Sequence, residues 1–133
     1  MTIYTDASAL VKRYIAEDGS DEVRGAIDRA DAVAMCRVGF VETARAVALA
    51  GERRDVKRVE RNWAAIDVVE VDRALTERAA ELAISYGLRA LDALHLAAAL
   101  SLPPRDLLFA TWDRRLHRAA RAEGLTVLPE DLD

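Results

Sequence analysis

Four carboxylates stand in places where an acid invites a chemical explanation. Asp6 follows the strand-forming run Ile3-Tyr4-Thr5 and precedes a helical pattern with Leu10, Val11, Tyr14 and Ile15 apolar. Asp113 follows the run Leu107 to Thr111 and precedes another helical pattern, repeating the order strand, short gap, acid, helix. Glu42 is the only acid of a helical stretch over residues 38–50, one turn from its start, with Phe40, Val41 and Ala44 around it. Asp92 stands in Leu91-Asp92-Ala93-Leu94-His95-Leu96-Ala97-Ala98-Ala99-Leu100, a helix apolar nearly all round and therefore expected to be buried. A carboxylate in a buried helix requires a partner, a proton or a metal.

Each acid alone has a plainer explanation. Asp6 and Asp113 suit helix N-caps, and Ser8 could cap in place of Asp6 or orient its carboxylate. Glu42 could pair with Arg45 on the helix surface, and Asp92 could be stabilised by the positive end of its helix. Taken together they suggest more. Acids at strand ends and near helix starts belong to one edge of a parallel sheet, where open α/β sheets place their ligands. Ionised carboxylates gathered there would repel one another, and a divalent cation resolves the conflict. An oxygen-only donor set favours Mg²⁺ or Mn²⁺. Such a centre suits phosphodiester hydrolysis by an activated water, which leaves a 5′-phosphate and needs no 2′-hydroxyl. No Ser/His/Asp or Cys/His arrangement competes. His95 is expected to pack within its helix, and His117, among arginines, to be exposed or to face phosphate.

The elements that must position these acids alternate. A strand over 2–5 is followed by a helix over 8–17, a break at Asp18-Gly19-Ser20 with Ser20 as N-cap, and a helix over 21–29. Ala32 to Cys36 is a second strand. The helix over 38–50 ends at Gly51, and a charged helix with sparse apolar positions covers 53–66. Val68 to Val71 is a third strand. Asp72 caps a helix running to Tyr86 and closed by Gly87, and the apolar helix covers 90–100. A strand over 107–111, a helix over 113–122 stopped by Gly124, a short strand over 126–128 and an acidic tail complete the chain. This alternation, without a two-residue hairpin signal, predicts an α/β fold with a mainly parallel central sheet and helices on both faces. The glycine motifs of dinucleotide sites and P-loops are absent.

The 133 residues fit one domain, and 52% hydrophobic with 32% charged residues is a globular rather than a disordered composition. The single cysteine, Cys36, cannot form an internal bridge and is expected to be buried, as in a reducing cytoplasm. No apolar run approaches the roughly 18 residues of a membrane span, and no signal pattern opens the chain, so a cytoplasmic protein is expected. A net charge of −4 argues against a general polyanion binder, but acids in one pocket can coexist with basic rims.

Tyr4-Thr5-Asp6-Ala7-Ser8-Ala9-Leu10-Val11-Lys12, Glu42 with Arg45, Leu91-Asp92-Ala93-Leu94-His95-Leu96-Ala97 and Thr111-Trp112-Asp113-Arg114-Arg115-Leu116 resemble, in order and spacing, the PIN-domain ribonucleases, and within them the VapC toxins of toxin–antitoxin pairs. The resemblance spans essentially the whole chain. It implies a three-layer α/β/α fold and a metal-dependent endoribonuclease, with Asp6, Glu42 and Asp92 as the three core acids and Asp113 as the fourth. It implies Thr111 and Ser8 as supporting residues, a homodimer, and a VapB-like antitoxin that blocks the acidic pocket. Trp112 is not required by the resemblance. RNA must also be held, and Lys12, Arg13, Arg114, Arg115 and Arg118 are the candidates for phosphate contacts, the alternative being solvated helix faces. The basic residues of 53–61 are mixed with acids and suit an exposed face or a partner groove.

Three other readings compete. One is a non-catalytic protein- or RNA-binding module in which the acids are caps. Another is a housekeeping RNA-processing nuclease. The last is an aspartyl-phosphate domain, which would want a second acid where Ser8 stands and a late lysine, whereas no lysine follows Lys57.

Overall fold

Strand-forming residues alternate direction along each predicted strand, and the computed structural model, which describes residues 1–133, buries both sets in the three central strands. On β1 (Thr2–Thr5), Tyr4 points into one apolar cluster and Ile3 into another. On β2 (Ala32–Cys36), Ala34 and Cys36 share the cluster of Tyr4, while Met35 faces the opposite layer. On β4 (Leu107–Ala110), Leu107 and Phe109 again face the Tyr4 side and Ala110 the other. A sheet apolar on both faces must be covered on both, which parallel crossovers accomplish.

The covering helices are α1 (Ala7–Tyr14), α2 (Ser20–Arg29), α3 (Val38–Ala50) and α4 (Arg53–Trp63) on one face, and α5 (Arg73–Tyr86), α6 (Ala90–Leu100) and α7 (Arg114–Ala122) on the other. With β3 (Asp67–Val69) and β5 (Thr126–Leu128) the sheet has the order β3-β2-β1-β4-β5, every pair parallel. This is the expected three-layer α/β/α arrangement. The chain winds from β1 outward through β2 to β3, then returns to the other side of β1 to lay down β4. The reversal falls between β1 and β4, the crevice where α/β sheets bind ligands. Thr5 pairs with Ala110 in the register of these strands, so Asp6 and Thr111, the next residues, leave the sheet side by side.

Several boundaries differ from expectation. Helix α1 stops at Tyr14 because Ile15 is already extended, and Ser20 is not an N-cap. Gly19, at φ +90°, holds the cap position of α2. The Ser20 hydroxyl instead donates to the Ile15 carbonyl and accepts from the Glu17 N–H, tying the turn between the two helices. Helix α4 ends at Trp63, whose ring packs on Phe40, and β3 is shorter than the apolar run that suggested it. Asp72 and Gly87 cap α5 as expected, with Gly87 in the left-handed region that closes helices. No helix is long and apolar enough to cross a membrane.

Candidate functional site

The carboxylate of Asp6 is both a helix cap and the centre of a hydrogen-bond cluster. Its Oδ1 accepts the Ala9 N–H (2.9 Å) and the Ser8 hydroxyl (2.7 Å), and its Oδ2 accepts the Thr111 hydroxyl (2.6 Å). The capping and site readings are therefore not alternatives. Burial pushes the Asp6 carboxyl above its ordinary value, opposed by the hydrogen bonds from Thr111, Ser8 and Ala9. The segment after β4 wraps around this acid. Ser8 Oγ accepts the Trp112 N–H at 2.9 Å, and Thr111 Oγ1 accepts the Asp113 N–H at 3.1 Å.

Asp113 caps α7 through Oδ1, which accepts the Leu116 N–H at 2.8 Å. Its Oδ2 faces Arg89, the residue preceding α6, at 3.4 Å. The same guanidinium donates from Nε to Asp92 Oδ2 at 3.2 Å. One exposed arginine thus bridges two acids contributed by different helices. Burial raises the Asp92 carboxyl and the neighbouring Asp113 charge raises it further, while Arg89 opposes both. Asp92 is less enclosed than the apolar run around it suggests. The first turn of α6 emerges at the surface, with Ala90 and Leu91 exposed, and burial begins at Ala93. Arg89, Asp92, Asp113 and Arg115 line an open, wholly charged cleft of about 280 Å³.

Glu42 forms no ion pair with Arg45. Its Oε1 lies 2.6 Å from Nε2 of His95, a residue only 1% exposed. The other ring nitrogen, Nδ1, lies 2.7 Å from the Tyr4 hydroxyl, which also accepts the Cys36 N–H at 2.9 Å. His95 is thus more than the packing residue its helix suggested, since it joins α6 to α3 across the sheet edge.

Three of the four acids are linked through shared partners, Asp6 to Asp113 by Thr111 and Asp113 to Asp92 by Arg89, while His95 ties Glu42 to α6, the helix that carries Asp92. As arranged, no three acid, histidine or cysteine side chains converge into a ready-made ligand set. The chemistry of the donors nonetheless fits a hard divalent cation. All are carboxylate oxygens, Arg89 already holds a positive group against Asp92 and Asp113, and Asp6 Oδ2 accepts one hydrogen bond and keeps a lone pair.

The expected phosphate-binding residues divide. Arg114 and Arg118 are exposed on α7, and Arg115 is exposed beside the cleft, where its Nη1 donates to the Gly87 carbonyl at 3.1 Å. Arg13 is partly exposed, with its guanidinium 5.8 Å from the Tyr14 ring centre. Lys12 corrects the expectation. It is 7% exposed, donates to Glu17 Oε1 (3.0 Å) and the Asp18 carbonyl (2.6 Å), and lies over the Trp112 ring. Its charge ties down the α1–α2 turn. His117 is likewise neither exposed nor free. It lies on the inner face of α7 with Nε2 at 2.7 Å from the Pro129 carbonyl. Cys36 is buried, as expected. Arg89, Tyr4 and the bridging role of His95 were missed. The only local signal for Arg89 was its spacing of three from Asp92, a helical ion-pair spacing.

Comparison with known proteins agrees with this construction. The PIN domain family model matches residues 3–122. Ribonuclease VapC45 of Mycobacterium tuberculosis is 38% identical over 98% of this chain and 97% of its own length. Two solved structures share the fold. VapC20 of Mycobacterium tuberculosis, a sarcin–ricin loop cleaving toxin, has a TM-score of 0.76 at 14% identity, covering 98% of this chain and 99% of that one. A toxin–antitoxin complex from Klebsiella pneumoniae has a chain with a TM-score of 0.72 at 17% identity, with the same coverage of 98% and 99%. The chain therefore belongs to the PIN-domain family and, within it, to the VapC ribonucleases.

Proposed function

We propose that this VapC-type ribonuclease is the toxin of a toxin–antitoxin pair and cleaves RNA internally in the cytoplasm with the help of Mg²⁺ or Mn²⁺. The observation that carries the metal reading is the meeting of Asp92 and Asp113 around one positive group, the guanidinium of Arg89, beside the buried Asp6 at the crevice between β1 and β4. Asp6, Glu42, Asp92 and Asp113 would hold the ion. When bound, it would lower the pKa of a water and offset charge on the scissile phosphate.

The chain's own residues do the remaining work. Thr111 and Ser8 fix both oxygens of Asp6, so that its free lone pair has a single direction. Arg115 lines the charged cleft beside Asp92 and Asp113, and Arg114 and Arg118 extend a basic surface from it along α7. These side chains suit the phosphates flanking the cut. They position RNA without selecting sequence, because phosphate contacts carry no base information. Val41 and Leu49 on α3 and Ile84 on α5 expose apolar surface, which supports a homodimer and the docking of a VapB-like antitoxin.

The test is cleavage of a mixed-sequence RNA with Mg²⁺ or Mn²⁺, with chelator as control and the product ends identified. Activity that disappears with chelator, with Asp92→Asn and in the presence of the antitoxin, and that leaves 5′-phosphates, is expected. Products ending in a 2′,3′-cyclic phosphate would overturn the mechanism, because they arise from attack by the RNA's own 2′-hydroxyl. An adjacent gene for a short DNA-binding partner is expected for the toxin role, whereas its absence would favour RNA maturation.

A further inference from the structure

Glu42 reaches the site from α3 on a flexible side chain, and a single hydrogen bond orients it. That bond comes from His95, on the helix layer across the sheet edge. The donor is identified by following the protons. The Cys36 N–H donates to the Tyr4 hydroxyl oxygen at 2.9 Å. The hydroxyl proton then needs an acceptor, and the one at hand is His95 Nδ1, at 2.7 Å. An Nδ1 that accepts leaves the ring proton on Nε2, which points at Glu42 Oε1 at 2.6 Å. Nothing in this chain is loosely held. The Tyr4 ring is fully buried, stacked on Phe109 with centroids 5.4 Å apart and planes at 3°, and its edge meets the His95 ring at 5.9 Å and 71°.

We propose that Cys36 N–H, Tyr4 and His95 form a positioning relay that presents the Glu42 carboxylate to the metal site in one orientation. The inference deepens the metal-site reading above and rests on it. His95 and Tyr4 touch neither ion nor substrate. They act by fixing the tautomer and ring plane that hold Glu42, so that binding an ion does not require ordering a mobile glutamate. Groups that orient a metal ligand from behind typically account for about 10- to 100-fold in metal affinity or activity. The relay also explains a polar chain through the most enclosed part of the core. Tyr4 and Phe109 are among the largest fully buried side chains, and a purely apolar contact there would have left the Cys36 N–H without a partner.

The experiment measures Mn²⁺ binding to the purified protein by calorimetry, alongside thermal melts and long-range ¹⁵N spectra of the histidine ring. His95→Leu should melt as a folded protein and bind Mn²⁺ about 10-fold or more weakly. His95→Gln, which can still donate to Glu42 and accept from Tyr4, should recover most of the loss. Tyr4→Phe keeps the stacked ring and should weaken binding in the same direction. The double variant His95→Leu/Tyr4→Phe should be no weaker than His95→Leu alone, because both changes break one relay. The wild-type spectrum should show the Nε2–H tautomer. A folded His95→Leu that binds Mn²⁺ like the wild type overturns the relay, as do additive losses or an Nδ1–H tautomer. If His95→Leu does not fold, Tyr4→Phe and the tautomer still decide. Wild-type protein that binds no Mn²⁺ overturns the metal-site reading and this inference with it, whereas wild-type binding abolished by Asp92→Asn and unchanged in His95→Leu overturns the relay alone.

Discussion

The hydroxyl of Thr111 donates to Asp6 Oδ2 at 2.6 Å and accepts the backbone N–H of Asp113 at 3.1 Å. One small side chain thereby ties two acids of the site together. The pairing follows from the sheet. Thr5 and Ala110 are register partners in β1 and β4, and the residues that follow them are forced into contact as the chains leave the sheet. Any residue at 111 would lie near Asp6, but only one with both a donor and acceptor lone pairs satisfies Asp6 and Asp113 together.

Thr111→Val keeps the shape and removes the hydroxyl. Asp6 then loses one of its three donors while buried, and the Asp113 N–H loses its acceptor. Unsatisfied buried groups cost about 1–3 kcal/mol, so a lower urea midpoint is expected together with a loss of about 10- to 100-fold in RNA cleavage. Thr111→Ser should restore the cleavage. Equal cleavage by the valine variant and the wild type would show that the hydroxyl is dispensable.

The alternation of strands and helices was legible because each strand is a short apolar run bounded by caps and helical spacing. Asp6 and Asp113 could be placed because an acid directly after a strand has few places to go in a parallel sheet. What could not be read was the direction of individual side chains across element boundaries. Lys12 and Arg13 are neighbours in sequence, yet Lys12 turns inward onto Asp18 and Trp112 while Arg13 stays partly exposed. His117 looked like part of a basic run, but helical phase places it on the inner face of α7 with Leu116 and Ala120. His95 and Tyr4 are separated by 91 positions, and nothing local connects them before the sheet brings β1 under α6.

Asp6→Asn should abolish cleavage and stabilise the metal-free protein. An asparagine carbonyl can accept from Ala9 and Ser8 in place of Oδ1, and its amide can donate to Thr111. The variant thus keeps the cap and discards a buried charge. Burial raises the folded-state pKa of Asp6 above its ordinary value of 3.8. Between that value and the raised one the folded state holds a proton that the unfolded state has released, so stability falls as pH rises through the window. The advantage of Asp6→Asn should therefore be largest at neutral pH, on the order of a few degrees in melting temperature. It should shrink as pH falls through the raised pKa. Melts in chelator across pH 4–8, roughly the range over which buried carboxyls titrate, read this directly, and a constant difference would contradict it.

Arg89→Ala removes the cation that bridges Asp92 and Asp113. The arginine side chain is 77% exposed, so each of its two ion pairs should be worth only about 0.2–1 kcal/mol, and stability should change little. The same energy sets the competition with a divalent ion. Removing Arg89 should tighten Mn²⁺ binding by roughly 2- to 10-fold, since ~1.4 kcal/mol corresponds to tenfold. If the displaced guanidinium also meets RNA, KM should rise while kcat is retained. Calorimetry and steady-state cleavage separate these effects. Weaker Mn²⁺ binding in Arg89→Ala would mean that the arginine organises the acids rather than competing for them.

Gly19→Ala tests whether the turn between α1 and α2 reaches the site through Trp112. Gly19 sits at φ +90°, and a Cβ built there would lie 2.6 Å from Trp112 Cζ2. The left-handed backbone alone costs a non-glycine residue roughly 1–2 kcal/mol. The indole cannot retreat freely, because Lys12 lies over its ring and its backbone N–H donates to Ser8 Oγ. Displacing Trp112 therefore pulls on the serine that orients Asp6, so cleavage should fall beyond what the lower stability explains. Trp112→Leu in the Gly19→Ala background removes the clash but not the backbone strain. The double variant should regain cleavage while remaining less stable than Trp112→Leu alone. Measured well below each variant's melting temperature, a cleavage loss that persists undiminished in the double variant would separate the turn from the site and confine the role of Gly19 to folding.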